Sequence, residues 1–253
     1  MRSAPVVAFV GSRSLSPRFA PQVAGALSSF LPSHRIAVGC CIGLDEMVLA
    51  GLTGAGLADR LAVFAAFGPA GAGACAASAV GAVAAAAAAG ARLRLWSGGG
   101  PAVPLRARLS RRSAAVVRAA AAGGPGSGLV AFLASPASVG SLAACRLAAR
   151  SGLPVVAWSC GFPGPPPLLG AGGRWVPAQP AGFWSDAWAW DPDLEVQLPT
   201  PPTREMEKRD ADNRTTGYQH FLPLAPHYPQ EERTRYHIKP QYGTEWLQLK
   251  HRR

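Results

Sequence analysis

The sequence predicts an α/β chain: a parallel sheet flanked by helices, followed by a Pro/Gly/Trp-rich extension and a basic C-terminal tail. Three observations predict it. Short runs of β-branched and aromatic residues alternate with longer helical stretches. Most of the short runs are apolar throughout rather than alternating, as in strands covered on both faces. Composition then changes after residue 160, and again near residue 203.

The elements follow in order. "PVVAFVG", 5–11, reads as a buried strand closed by glycine. In 16–31 the apolar residues Phe19, Val23, Leu27, Phe30 and Leu31 recur at helical spacing. "RIAVG", 35–39, is a second strand, and 44–56 is a helix ending in glycines. "RLAVFAAF", 60–67, is a third strand, and the alanine run 74–89 is helical on propensity alone. "ARLRLW", 91–96, is a fourth strand; after a Gly/Pro loop, 105–122 form an arginine-studded helix. "GLVAFLA", 128–134, a helix over 138–152 and "LPVVAW", 153–158, complete the alternation. Repeated strand–helix units place residues 1–160 in one parallel-sheet domain.

Residues 161–198 form a Pro/Gly/Trp-rich segment expected to cover the sheet edge. In "FWSDAWAW", Trp184 and Trp188 are four apart, the spacing of one helical face. A base-stacking or partner surface is the rival reading of these rings. Residues 199–253 are a linker and tail in a different vocabulary: all three Lys, all four Tyr and four of five His lie after residue 203. The tail has too few apolar residues for a core, so it is expected to stay extended or to order against a protein partner or a second copy of the chain.

Net charge is +11 with only 15% charged residues, and its distribution matters more than its size. Residues 1–185 hold 15 Arg, no Lys, and only Asp45, Glu46 and Asp59 as acids. Such a surface attracts nucleotides, nucleic acid or acidic proteins. The five Cys are irregularly spaced, which excludes a secreted disulfide framework and points to a reducing, cytoplasmic compartment. No spacing suits zinc, so no metal is expected. The apolar stretch 71–96 is mostly Ala, too weakly hydrophobic for a membrane span, and no membrane partner is expected.

Four segments carry chemistry. After the first strand, Gly11 permits a close turn, Ser12 and Ser14 offer hydroxyls, Arg13 a cationic fork, and Ser16 a helix cap whose amides suit a phosphate. The order is neither the dinucleotide fingerprint nor the P-loop. In "GCCIGLDEM", Gly39 and Gly43 frame a turn and Asp45 falls in the first turn of a helix. There it complements the dipole, or reaches a ribose hydroxyl or base edge, or orders Arg13. Arg108, Arg111 and Arg112, with Arg106 and Arg118, make a basic helix that is either a solvated face or a phosphate contact. Finally Ser135, Ser138, Gly140 and Ser141 bring hydroxyls and free helix amides to another strand end.

The order of "VAFVGSRS", "GCCIGLDEMVLAGL", "RLSRRSAAVV" and "GLVAFLASPASVGSLAACRLAARSGLPVVAW" resembles the Rossmann-like SLOG superfamily. Its motif order is closest to the DNA-processing Smf/DprA-type proteins and more distantly similar to the cytokinin-activating LOG proteins. The resemblance spans about 5–158. It implies a ligand site formed by Gly11, Ser12 and Arg13, by Gly39, Gly43 and Asp45, and by Ser138, Gly140 and Ser141. It also implies a nucleotide or single-stranded nucleic acid as partner.

Three functions are therefore open. The leading one is binding of a nucleotide or nucleotide-derived ligand, with no other cofactor expected. The second is single-stranded DNA binding. The third is cleavage of an N-glycosidic bond with Asp45 as the carboxylate. No Ser–His–Asp set is visible, and His34 is the only His before residue 203, so enzyme status is left open.

Overall fold

The computed structural model describes residues 4–31, 33–170, 172–179 and 182–192. The expectations placed on the tail, its partner role included, lie outside the described residues.

Strands β1 (Val6–Gly11), β2 (Arg35–Val38), β3 (Leu61–Phe64), β4 (Arg92–Arg94), β5 (Gly128–Leu133) and β6 (Val155–Ser159) alternate with helices α1 (Ala20–Phe30), α2 (Leu44–Gly54), α3 (Ala77–Ala88), α4 (Leu105–Ala121) and α5 (Val139–Arg150). With β7 (Arg174–Pro177) and β8 (Ala187–Asp191), the sheet order is β4-β3-β2-β1-β5-β6-β8-β7, and every pairing from β4 to β6 is parallel. This is an α/β fold with a largely parallel, mixed sheet between helices. No described helix is long and apolar enough to cross a membrane.

Strand alternation builds two cores. Along β1, Val7 and Phe9 face a layer with residues of α1, α2 and α3, while Ala8 and Val10 face residues of α4 and α5. β5 repeats this, with Val130 and Phe132 toward the first layer and Leu129, Ala131 and Leu133 toward the second. Both faces are covered, which explains the uninterrupted apolar runs. The exposed edge strand β4 is only three residues long and carries Arg92 and Arg94, which discourages pairing with another chain.

The Trp-rich segment departs from expectation. β8 (Ala187–Asp191) pairs antiparallel with β6, and β7 (Arg174–Pro177) pairs antiparallel with β8. Trp188 thus lies in a strand, not on a helical face. The alternation Ala187-Trp188-Ala189-Trp190 has period two, and the open edge of β6 supplies unpaired backbone groups for it. Trp184 is buried, 5.9 Å from Phe30 and 4.9 Å from Trp158 between ring centroids, so it serves the core.

The chain runs outward from β1 to β4 in one direction, then returns to place β5 and β6 on the other side of β1. At this reversal the loops leaving the C-terminal ends of β1 and β5 diverge and leave a crevice between them.

Candidate functional site

A cleft of about 1420 Å³ occupies that crevice and continues between α4 and α5. Its head is built by the two loops. Ser12 donates its amide to Phe132 O at 3.0 Å, which zips the end of β1 to β5. The buried Ser12 hydroxyl accepts from the Ala134 amide at 2.9 Å and lies 2.7 Å from the Ser138 hydroxyl. Two loops 126 residues apart are thereby fixed to each other. Ser135 caps its own turn by accepting from the Ala137 amide at 3.1 Å.

The first turn of α5 opens on this head. The amides of Gly140 and Ser141 carry no hydrogen bond to the described chain, as expected for a helix start. Ser141 is nine-tenths buried, lines the cleft, and its hydroxyl makes no hydrogen bond among the described residues. Arg13 and Ser14 line the cleft from the opposite loop, and both are exposed. Free amides, unpaired hydroxyls and an unpaired guanidinium thus converge on one concavity, the arrangement that holds phosphate oxygens.

Ser16 has a smaller role than expected. It caps a three-residue 3₁₀ turn, accepting from the Arg18 amide at 3.5 Å, and does not line the cleft. The helix that faces the cleft with its N-terminus is α5, not α1.

Asp45 lies behind the cleft wall rather than on it. Its carboxylate Oδ2 accepts from the Cys41 amide at 2.9 Å and from Arg112 Nη1 at 2.8 Å, with both side chains buried. Asp45 therefore orders Arg112, not Arg13. Gly39 makes room for this pair: a Cβ there would overlap the Arg112 guanidinium and the Asp45 carboxylate. Gly43 has φ +80 and passes against the carbonyls of Ser12 and Arg13, so it sets the α2 turn beneath the first loop. Gly39 and Gly43 thus act by supporting the site; neither lines it.

The arginines of α4 separate by face. Arg108 is buried, donates to Ala66 O at 2.9 Å and Gly73 O at 3.2 Å, and stacks 5.2 Å from the Trp96 ring centroid. It is spent on the protein itself, not offered to a phosphate. Arg111 is exposed but lies outside the cleft lining. Arg112 does line the cleft, tethered by Asp45 and by an Nη2 contact to Cys41 Sγ at 3.1 Å. Burial is the largest influence and pulls its pKa down, but the Asp45 charge, the Cys41 and Cys40 sulfurs and the Asp45 hydrogen bond together outweigh it and raise the pKa, so Arg112 is a permanent cation.

Residues 108, 112, 116 and 120 explain the burial. They share one stripe of α4, and Val116 and Ala120 on it are buried. That i, i+4 register with apolar residues was the available signal that Arg108 and Arg112 turn inward. Arg106, Ser110 and Ser113, one strip over, line the cleft, as does Arg150 at the far end of α5. Their spacing of four and three along α4 was the signal for this polar wall. Ile42, Leu105 and Val139 are exposed apolar residues in the same lining. In all, four arginines and no Asp or Glu line the cleft.

No family model matches the sequence, and no curated protein matches it. Among solved structures, DNA processing protein A (DprA) from Streptococcus pneumoniae is similar at 19% identity with a TM-score of 0.46. The match covers 64% of this chain and 51% of that one, so the chain spans about half the length of that protein.

Proposed function

We propose that the cleft binds a nucleotide or nucleotide-derived ligand through its phosphates. The observation that carries this reading is the cleft head. Ser12 and Ser138 lock the two loops, and the free amides of α5, the unpaired Ser141 hydroxyl and the Arg13 guanidinium surround one space. The absence of acids from the lining excludes a cationic ligand and favours one with several negative charges. The exposed side chains of Ile42, Leu105 and Val139 supply apolar surface for a base or ring. Calorimetry with mono-, di- and triphosphates of each nucleoside is the test. Binding that Arg13→Ala weakens supports the site; no binding at millimolar ligand, or binding unchanged in that variant, overturns it.

A second reading, single-stranded nucleic acid, is favoured by the length of the groove. Its volume of about 1420 Å³ exceeds the roughly 300–1,000 Å³ of small-ligand pockets. From Ser138 to Arg150 the lining follows all of α5, about 18 Å at 1.5 Å per residue. A chain of phosphates entering at the head would meet Arg150 at the other end. Bond cleavage by Asp45 has no comparable support, because its carboxylate is engaged with Arg112 and does not line the cleft.

A further inference from the structure

Three thiols neighbour one another beside the cleft, with Cys41 alone in its lining, and the ligand reading uses none of them. Cys40 and Cys41 follow β2 and are both buried, and Cys41 lines the cleft. Arg112 Nη2 lies 3.1 Å from Cys41 Sγ, and the Ala66 amide donates to Cys40 Sγ at 3.2 Å. The third thiol, Cys75, is exposed on the loop after β3.

Arg108 draws that loop to the same place. One guanidinium binds Ala66 O through Nη1 and Gly73 O through Nη2. Ala66 is therefore held against the Cys40 sulfur on one side and beside Gly73, two residues from Cys75, on the other. The Cys75 thiol neighbours the Cys41 thiol and the Arg13 charge. The intervening loop is made of Gly, Pro and Ala, with positive φ at Ala70, Gly71 and Gly73. Phe67 in the core and the Arg108 bonds at Ala66 and Gly73 fix the two ends of this loop, which holds Cys75 beside Cys41. Among the described residues no group of Cys, His or acids is arranged to hold a metal ion. A Cys40–Cys41 bond is the geometric rival, but adjacent Cα atoms sit about 3.8 Å apart, short of the roughly 4.4–6.8 Å that a disulfide spans.

We infer that Cys41 and Cys75 form a reversible disulfide beside the cleft when hydrogen peroxide oxidises the protein. The exposed Cys75 thiol attacks the peroxide oxygen, becoming a sulfenic acid and releasing water. The Cys41 sulfur then attacks the Cys75 sulfur; the S–S bond forms as the S–O bond breaks, and the Cys41 proton leaves with the hydroxyl as a second water. The two thiols lose two electrons in total and the peroxide gains them. The Cys40 contact and burial hold Cys41 in its thiol form, and the Arg112 guanidinium at 3.1 Å offsets part of that as the Cys41 proton departs. The product pins the loop beside Arg13, so its effect on ligand rests on the phosphate-binding reading, whereas formation of the bond does not.

The test is peptide mapping of the full chain after hydrogen peroxide and alkylation, without reduction. Trypsin releases Cys40 and Cys41 together in fragment 36–60 and Cys75 in fragment 61–92. The expected product is these two fragments joined, lighter than their sum by the two lost hydrogens and separated by dithiothreitol. It persists in Cys40→Ser and is absent from Cys41→Ser and from Cys75→Ser, whose site is exposed and outside the core. A disulfide confined to fragment 36–60, or Cys75 oxidised without a cross-link, overturns the proposal. Nucleotide binding by the reduced protein in either case leaves the ligand reading standing and isolates the failure.

Discussion

Arg112 Nη1 lies 2.8 Å from Asp45 Oδ2, joining residues 67 apart with both side chains buried. The pair links α4, on one side of the sheet, to the start of α2 on the other, past the end of β2. It also fixes one of the four cleft arginines in place, while the other three, Arg13, Arg106 and Arg150, are exposed.

The first prediction follows from that burial. Arg112→Met leaves a buried carboxylate without its cation and should destabilise the fold by about 3–5 kcal/mol. Adding Asp45→Asn should recover part of that loss, because the double variant buries no net charge. Urea unfolding of both proteins checks it. A single variant as stable as the parent would show that water reaches Asp45.

The pair also marks where sequence reading stops. The strand order of motifs, the α/β alternation and the hydroxyl loops at 12 and 138 were legible, because each is encoded in a few contiguous residues. Arg112 and Asp45 were separately visible, but their partnership depends on which face of α4 meets the sheet. Only the register with Val116 and Ala120 carries that information. Trp188 failed for a different reason: a spacing of four fits a helix, while the strand it occupies is stabilised by the edge of β6, where Trp188 pairs with Ala157, far earlier in the chain. Ile42 and Arg150 had no local signature, since they belong to the cleft only through the packing of α5 beside α4.

The second prediction concerns alkaline pH. Burial pushes the Cys145 thiol up to about 12 from an ordinary 9.0, and likewise the Cys160 thiol up to about 12. In the unfolded chain these thiols release protons near pH 9.0, while the folded chain keeps them. Their contribution is therefore complete below pH 9.0 and is lost as pH rises toward 12. The slope for Cys145 is at most about 1.4 kcal/mol per pH unit. Arg112 stays charged throughout and adds nothing to this slope. Urea midpoints of the parent should fall more steeply than those of Cys145→Ala between about pH 9 and pH 11; equal slopes would refute it.

The third prediction separates binding from stability. Gly140 sits in the first turn of α5 and lines the cleft, and a Cβ there meets nothing within 4 Å. Gly140→Asp should keep or raise the melting temperature, because an acid at a helix start is worth about 0.3–1 kcal/mol. The same carboxylate would face the incoming phosphate. Repulsion at ~4 Å in a partly shielded site is about 4 kcal/mol, so nucleotide affinity should fall by up to about a thousandfold. Unchanged affinity would place the phosphates elsewhere.

The last prediction decides between the two ligands. On the proposed reading a mononucleotide would fill the head of the cleft and meet Arg13 there; Arg150, at the C-terminal end of α5, is about 18 Å away along the helix. Consecutive phosphates of a single strand would instead run down the groove and reach it. Arg150→Ala should therefore leave nucleotide affinity unchanged, while weakening binding of a short single-stranded oligonucleotide. Its effect should also appear in the salt dependence, because each phosphate neutralised adds about 0.7 to the slope of log affinity against log salt. Titrations of parent and variant at several salt concentrations give both numbers. A parent slope near that of one or two contacts, unaltered by Arg150→Ala, would confine the ligand to the head. A steeper slope that Arg150→Ala lowers by about one contact would mean that the whole groove holds a nucleic-acid strand.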